Sequence, residues 1–240
     1  MKMFPVAVLC GGLATRLYPL TSNVPKILLE VAGKPFIFHQ LENLREQGVE
    51  NVVLCVGYLG EKIQEIVGNG EKLGLNIEYS FDGAEQRGTG GAIRNALPKL
   101  GGQFFIMYGD SFLCCSFADI QSAFCKQDKL SLLTVFSNQG MWDRSNVFYE
   151  SGVPLRYNKV KPEPSMSYID YGLSVFAAEA FEFWADIATF DLADVYSSLC
   201  EKQQMSGFEV VNRFYEVGSK DGLREADRFL RKRMEDELFK

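Results

Sequence analysis

"FPVAVLCGGLATRLYPLTSNVPK", residues 4–26, is the stretch from which the rest of the chain can be read. Its first seven residues are apolar and too few for a helix, so they predict a buried strand over 4–10. The strand runs into Gly11 and Gly12, residues that take backbone conformations closed to others and let a ligand approach main-chain N–H groups. Arg16 has the fork of donors that fits phosphate oxygens, Lys26 adds a compact charge, and Pro19 and Pro25 stiffen the segment between. The stretch has neither GxxxxGK[ST] nor GxGxxG, so it is not a Walker loop or a dinucleotide fingerprint. Alone it reads as an anion site or as a turn with surface charges.

Working outward, apolar runs predict further strands at 51–56, 76–81, 104–108 and 130–136. Helical spacing separates the first of them. Ile37, Leu41 and Leu44 recur at three and four within 35–47, and Ile63, Ile66 and Val67 share a face within 60–67. "GGAIRNALPKL" (90–100) predicts another helix, ended by Pro98 and the glycines at 101–102. Strands alternating with helices predict an α/β fold, with parallel strands and a sheet covered on both faces. After about residue 136, runs at 145–150, 154–159 and 168–176 follow one another through turns, a mixed or antiparallel extension carrying a lid. Helices over 178–186 and 191–204, a strand near 208–211 and an amphipathic helix over the last 20 residues follow.

The 240 residues include 47% apolar side chains, enough for a sizeable core, and 240 residues suit one large domain. A net charge of −6 argues against a nucleic-acid footprint, which needs a clustered basic surface, but not against a local basic pocket. No apolar run reaches membrane-spanning length and none has the form of a signal peptide, so a cytoplasmic location is expected. The six cysteines are irregularly spaced, as buried thiols of a reduced protein would be. His39 is the only histidine, so Ser-His or His-metal chemistry is poorly supplied.

Other segments offer chemistry. "RGTGGAIRNAL" (87–97) joins a glycine-rich loop to a helix start, where free N–H groups suit a base or phosphate; a tight turn is the equal alternative. "FFIMYGDSF" (104–112) puts Asp110 at the end of a strand, at the same sheet edge as Gly11 and Gly12. A carboxylate there suits Mg²⁺, which prefers one or two carboxylates plus substrate phosphates. Downstream, "RYNKVKPEP" (156–164) holds Lys159 and Lys161, "SYIDYGLSVF" (167–176) holds Asp170 and Gly172, and "RFYEVGS" (213–219) holds Glu216.

In order, these segments resemble the sugar-1-phosphate nucleotidylyltransferases, the nucleotide-sugar pyrophosphorylases. The resembling elements are Gly11-Gly12-x-x-Thr15-Arg16-Leu17, Pro25-Lys26, Gly33-Lys34-Pro35, Gly88-Thr89-Gly90-Gly91-Ala92, Gly109-Asp110-Ser111 and Tyr215-Glu216-Val217-Gly218. The resemblance implies a Rossmann-like, GT-A-like nucleotidyltransferase fold, with a mixed, mainly parallel sheet flanked by helices. It implies one domain over 1–240: a nucleotide-binding part over 1–136, a sugar-phosphate part and lid over 137–218, and a C-terminal helix over 219–240. The implied reaction joins an NTP and a sugar 1-phosphate to give NDP-sugar and pyrophosphate, with Mg²⁺ as cofactor and neither nucleic acid nor membrane as partner. A homodimer is compatible with it.

By the same resemblance Arg16, Lys26 and Asp110 are catalytic. Leu9, Gly11, Gly12, Thr15, Asp82, Gln86, Gly88 and Thr89 contact the nucleotide. Asn158, Lys159, Asp170 and Gly172 hold the sugar phosphate, and Asp110 with Glu216 binds the metal. Three positions depart from the family pattern. Ala14 stands where glycine is frequent, Glu216 where aspartate is frequent, and Asn158 where many members have glutamate. The chain is expected to be the short form, without the left-handed β-helix of longer members. It resembles the heptose- and mannose-1-phosphate guanylyltransferases, which favours GTP. The N-acetylmuramate-1-phosphate uridylyltransferases resemble it nearly as well, and a non-catalytic nucleotide-sugar-binding subunit is the alternative of another class.

Overall fold

The computed structural model describes every residue except 13–14, 84–86, 143 and 239–240, with the side chains of Thr15, Glu237 and Leu238 also left undescribed. The chain opens with β1 (Val6–Leu9), a small hairpin of β2 (Glu30–Val31) and β3 (Lys34–Pro35), and helix α1 (Phe36–Glu46). Next come β4 (Asn51–Val56), α2 (Gly60–Val67), β5 (Asn76–Phe81), α3 (Gly88–Leu100) and β6 (Gln103–Tyr108). A short β7 (Ser111–Phe112) and α4 (Phe117–Cys125) lead to β8 (Ser131–Ser137), β9 (Val147–Glu150), β10 (Val153–Tyr157) and the long β11 (Tyr168–Ala177). Then follow α5 (Leu192–Glu201), β12 (Met205–Glu209), β13 (Tyr215–Glu216) and α6 (Lys220–Leu238).

One nine-stranded sheet runs through the molecule. Its centre is parallel, with β5, β4, β1 and β6 side by side. β11 lies antiparallel to β6 and to β8, and β12 runs parallel to β8, so the later strands supply the mixed part. From β1 the chain passes through α1 to β4 on one side. After β5, helix α3 returns it to β6 on the other side of β1. The strand order reverses at β1, so the carboxyl ends of β1 and β6 open on one crevice, where ligands of open α/β sheets bind.

The apolar runs are continuous because both faces of the sheet are covered. Val6 and Val8 pack into one cluster with Ile37 and Leu41 of α1, while Ala7 packs into another with Ile93 and Ala96 of α3. All of these are fully buried. A third cluster, which includes Val31, Phe36, Phe112, Val217, Ala226 and Leu230, ties α6, β7 and β13 to the β2–β3 hairpin. It places the start of α6 beside the loop that follows β6.

Three predicted elements differ in detail. Pro98 lies inside α3 and does not end it. In the last turn a proline forfeits only one N–H bond, and the helix closes where Gly101 N–H donates to the Leu97 carbonyl at 3.3 Å. The segment predicted as a helix over 178–186 is a 3-10 helix at Ala178–Trp184. The strand predicted near 208–211 is β12, at Met205–Glu209.

Candidate active site

Gly109 decides where Asp110 emerges. Its N–H donates to the Leu9 carbonyl at 3.0 Å, and a Cβ at position 109 would stand 2.6 Å from that oxygen. Only glycine lets the end of β6 pass so close to β1, and Asp110 leaves this junction into the crevice. Lys26 comes to meet it from a short 3-10 helix, Lys26–Leu28, anchored by buried Ile27 and Leu28. Lys26 Nζ lies 2.5 Å from Asp110 Oδ2, and Ser111 Oγ donates to Oδ1 at 3.3 Å. Residues 84 positions apart thus form the ion pair at the centre of the site. Cys10, just below, is not a competing nucleophile: burial first, then the nearby Cys55 and Asp110, pushes its thiol well up.

A cleft of about 820 Å³ opens above this pair. Of the residues predicted from sequence, it brings together Arg16, Lys26, Asp110, Lys159, Asp170, Gly172 and Glu216. Lys159 Nζ stands 5.5 Å from the centre of the Tyr108 ring, so its charge is held over an aromatic face. Asp170 lies half-buried beside it. Its Oδ1 accepts from the Gly172 N–H at 2.9 Å, and its Oδ2 lies 3.2 Å from the Tyr157 hydroxyl and 3.4 Å from that of Tyr108. Burial pushes the Asp170 carboxyl up, opposed by the Gly172 N–H and the Lys159 charge. Asp170 positions Gly172, whose φ of +95° favours glycine, and it borders the same cleft as Lys159.

Asn158 Oδ1 accepts from the N–H groups of Val160 and Lys161 at 3.1 and 2.8 Å, an Asx-type turn that holds the backbone beside Lys159.

Glu216 and Asp110 approach each other across Gly218. A Cβ on Gly218 would stand 2.6 Å from Glu216 Oε2 and 3.6 Å from Asp110 Oδ2. Glu216 is already engaged by its own loop: Oε2 accepts from the Gly218 N–H and Oε1 from Ser219 Oγ at 2.6 Å. It therefore braces the start of α6. Among the described residues no group of three His, Cys, Asp or Glu side chains gathers as a complete metal cage. A carboxylate at the cleft, held by Lys26 and Ser111, fits Mg²⁺, which keeps waters and takes substrate phosphates as ligands. Asp110 suits direct contact, and Glu216 suits contact through water.

On the other side of β1, Gly11 lies against Asp82 and Gly57. A Cβ on Gly11 would meet Asp82 Oδ2 and the Gly57 N–H group at 3.3 Å each. Asp82 Oδ1 is buried with no hydrogen-bond partner, and burial pushes this carboxyl up against the lowering charge of Arg87. Gly12 is exposed with open space over its α-carbon, and the Leu9 carbonyl is taken by Gly109. The predicted contact Gln86 falls outside the described residues, as does the side chain of Thr15.

At the start of α3 the hydrogen bonds follow the tight-turn alternative. The N–H groups of Gly90 and Gly91 donate to the Phe190 carbonyl at 3.0 and 3.2 Å. The Thr89 N–H and hydroxyl both reach Asp191 Oδ1, and the Leu192 N–H donates to Thr89 Oγ1 at 2.8 Å. These amides are not open to a phosphate, because the segment before α5 already satisfies them. The glycines serve close packing: a Cβ on Gly88, Gly90 or Gly91 would strike Phe190, Asp191 or the Arg87 side chain.

Several cleft residues were not singled out from sequence. Met141, Trp142 and Arg144 come from the loop before β9, and Arg213 from the loop before β13. The Arg213 guanidinium lies 3.7 Å from the centre of the Trp142 ring, joining these loops at the cleft mouth. Tyr108 and Tyr157 lie beside Asp170. For the loop residues the only available signal was an aromatic or cationic side chain, which has no period to betray it, while Tyr108 and Tyr157 end β6 and β10.

A reversed parallel sheet, a cation–carboxylate pair at its switch point and a deep anion-sized cleft define a phosphate-handling α/β protein. Residues 6–149 match the family model described as Nucleotidyl transferase, and the chain belongs to that family. It is 42% identical over 104 residues to the N-acetylmuramate alpha-1-phosphate uridylyltransferase of Neisseria meningitidis, covering 43% of this chain and 45% of that protein. It is 39% identical over 105 residues to the D-glycero-alpha-D-manno-heptose 1-phosphate guanylyltransferase of Campylobacter jejuni, covering 44% and 47%. The matched stretch spans about half the length of these curated relatives. Among solved structures, the inositol-1-phosphate CTP transferase of T. maritima superposes with a TM-score of 0.81 at 21% identity, covering 96% of each chain. At that identity the likeness speaks for the fold.

Proposed function

We propose that this chain is a Mg²⁺-dependent sugar-1-phosphate nucleotidylyltransferase, which joins an NTP and a sugar 1-phosphate to give NDP-sugar and pyrophosphate. The observation that carries this reading is the convergence of Arg16, the Lys26–Asp110 pair and Lys159 on one cleft. The sugar phosphate is already a nucleophile, so no histidine or activated serine is needed. Rate comes from aligning two polyanions and offsetting their repulsion. Arg16 and Lys26 would hold the triphosphate and the oxygens of the transferred phosphoryl group. Lys159, beside the Asn158 turn, would take the sugar phosphate, with Gly172 against the sugar. Gly11, Gly12, Leu9 and Thr15 would border the nucleotide, and Gly88 would close its far side. Asp110 would hold the Mg²⁺, with Glu216 reached through water; when bound, the ion neutralises phosphate charge. Residues 1–136 then form the nucleotide-binding part and 137–218 the sugar-phosphate part of one domain.

For the base, the reading favours GTP with heptose or mannose 1-phosphate. Asp82 stands beside Gly11 with Oδ2 toward it, where its carboxylate would meet the edge of a base. Guanine offers two adjacent N–H donors on its pairing edge, which a carboxylate accepts together, whereas uracil offers one donor between two acceptors. The alternative, UTP with an N-acetylmuramate or hexose 1-phosphate, is favoured by the 42% identity to a uridylyltransferase. The test is pyrophosphate release from each NTP with Mg²⁺ across a panel of sugar 1-phosphates. GTP is expected to give the highest kcat/KM, and Asp82→Asn to reduce the preference for GTP over UTP. A preference for UTP that survives Asp82→Asn would move the assignment to the uridylyl reading.

A further inference from the structure

A second cleft, of about 870 Å³, lies along α6 and β13 and meets the first at Arg213 and Glu225. Its volume is within the range of small-molecule sites. Four cations stand around it, Arg213, Arg228, Lys232 and Arg233, against two carboxylates, Glu225 and Asp236. That is a local excess of positive charge on a chain whose net charge is −6.

The pattern of pairing along α6 is uneven. Arg224 and Arg231 are paired with acids of their own helix, Asp221 and Asp227. Arg213 is held by Glu225 at 2.7 Å and Arg233 by Glu46 at 2.6 Å. Arg228 and Lys232, on the face toward the cleft, have no carboxylate partner among the described residues. They are one helical turn apart. Asp236, one turn beyond Lys232, offsets part of their repulsion, and Arg228 Nε donates to the Arg224 carbonyl at 3.4 Å, which leaves two cationic heads at the cleft for an anion to bridge.

The cleft is also wired to the first one. Arg213 and Glu225 line both. The Arg213 guanidinium is sandwiched between Trp142, 3.7 Å from its ring centre, and Tyr215, at 4.6 Å. Tyr215 stacks on Phe229 with ring centres 3.9 Å apart and planes 13° apart. Both faces of Tyr215 are therefore covered, and what it offers the cleft is its edge, the positive rim of the aromatic quadrupole. Guanidinium forks, an ammonium and a ring edge together suit phosphate oxygens.

We propose that this cleft binds a phosphorylated small molecule carrying adjacent phosphates, with Arg228 and Lys232 as its principal donors, and that its occupation is felt at Trp142 through Arg213. The proposal rests on the second cleft alone and stands apart from the transferase reading. The chain has two tryptophans, so Trp184→Phe leaves Trp142 as the sole reporter. In that background Arg16→Ala and Lys26→Ala disable the first cleft, and inorganic triphosphate and GTP are titrated separately while Trp142 emission is followed. A saturable change is expected that survives the loss of Arg16 and Lys26. Adding Arg228→Gln and Lys232→Gln is expected to weaken it by about tenfold or more, with a thermal midpoint no lower than the parent's, because both side chains are surface groups and their mutual repulsion is removed. Lys232→Gln alone, weakening binding several-fold, serves as the milder check. Tighter binding of GTP than of inorganic triphosphate marks a nucleotide ligand; equal binding marks the phosphate run as sufficient. No emission change with either probe, or a change indifferent to Arg228 and Lys232, overturns the proposal.

Discussion

At the scale of single residues, the Lys26–Asp110 pair carries most of the chemistry assigned to the cleft. Each partner holds the other's side chain at the cleft. In the proposed reaction, losing Lys26 would leave phosphate charge unmatched in the transition state, and losing Asp110 would remove the ligand meant for the Mg²⁺. Lys26→Ala, Asp110→Asn and Arg16→Ala are each expected to lower kcat by roughly 10²-fold or more, as losses of charge-stabilising groups do. Steady-state pyrophosphate release at saturating Mg²⁺ measures it, and near-normal turnover by Arg16→Ala would remove that residue from the mechanism. Asp170 acts differently. Its carboxyl is raised above the ordinary 3.8, chiefly by burial, so the folded state binds its proton more tightly than the unfolded state does. Its contribution to stability is fully present below pH 3.8 and is lost as pH rises through the folded value. Urea unfolding from pH 4 to 8 should show that fall, and Asp170→Asn should flatten it. Asp82, shifted in the same direction, keeps some slope in the variant.

At the scale of elements, the start of α3 is where packing and sequence pattern part company. Gly90 has no room for a Cβ because the Phe190 ring lies against it. Gly90→Ala is expected to cost about 1–3 kcal/mol, the usual range for overpacking, read as a lower urea midpoint. A stability equal to the parent's would mean that the contact between α3 and the Phe190–Asp191 segment gives way freely. The central strands were legible from sequence because a strand buried on both faces leaves a continuous apolar run, as in 51–56. The covering of the Gly88–Gly91 turn was not legible. Its partner lies about a hundred residues downstream, and a glycine that makes room for protein looks the same as one that makes room for a phosphate. Pro98 misled for a simpler reason: a proline in the last turn of a helix removes a bond without removing the turn.

At the scale of the whole molecule, the site is the product of topology. Reversal of strand order at β1 brings Gly11, Lys26 and Asp110 to one crevice, and these were readable in the sequence as strand ends followed by glycine and charge. The antiparallel part brings Lys159, Asp170 and Gly172 to the same cleft, and the third core cluster sets Glu216 beside Asp110. Trp142 and Arg213 meet because the loops before β9 and β13 converge there, which no local pattern records. Among the described residues no helix is long and apolar enough to cross a membrane. If Asp110 holds a divalent cation, chelation by excess EDTA should abolish turnover and Mg²⁺ should restore it, whereas activity unaffected by EDTA would exclude that role. The most direct test of the central claim is pyrophosphate release from GTP and UTP, with Mg²⁺, across heptose, mannose, N-acetylmuramate and other hexose 1-phosphates. The account predicts release that requires one particular pairing and is lost in Lys26→Ala. Binding of an NDP-sugar with no pyrophosphate released from any pairing would contradict it.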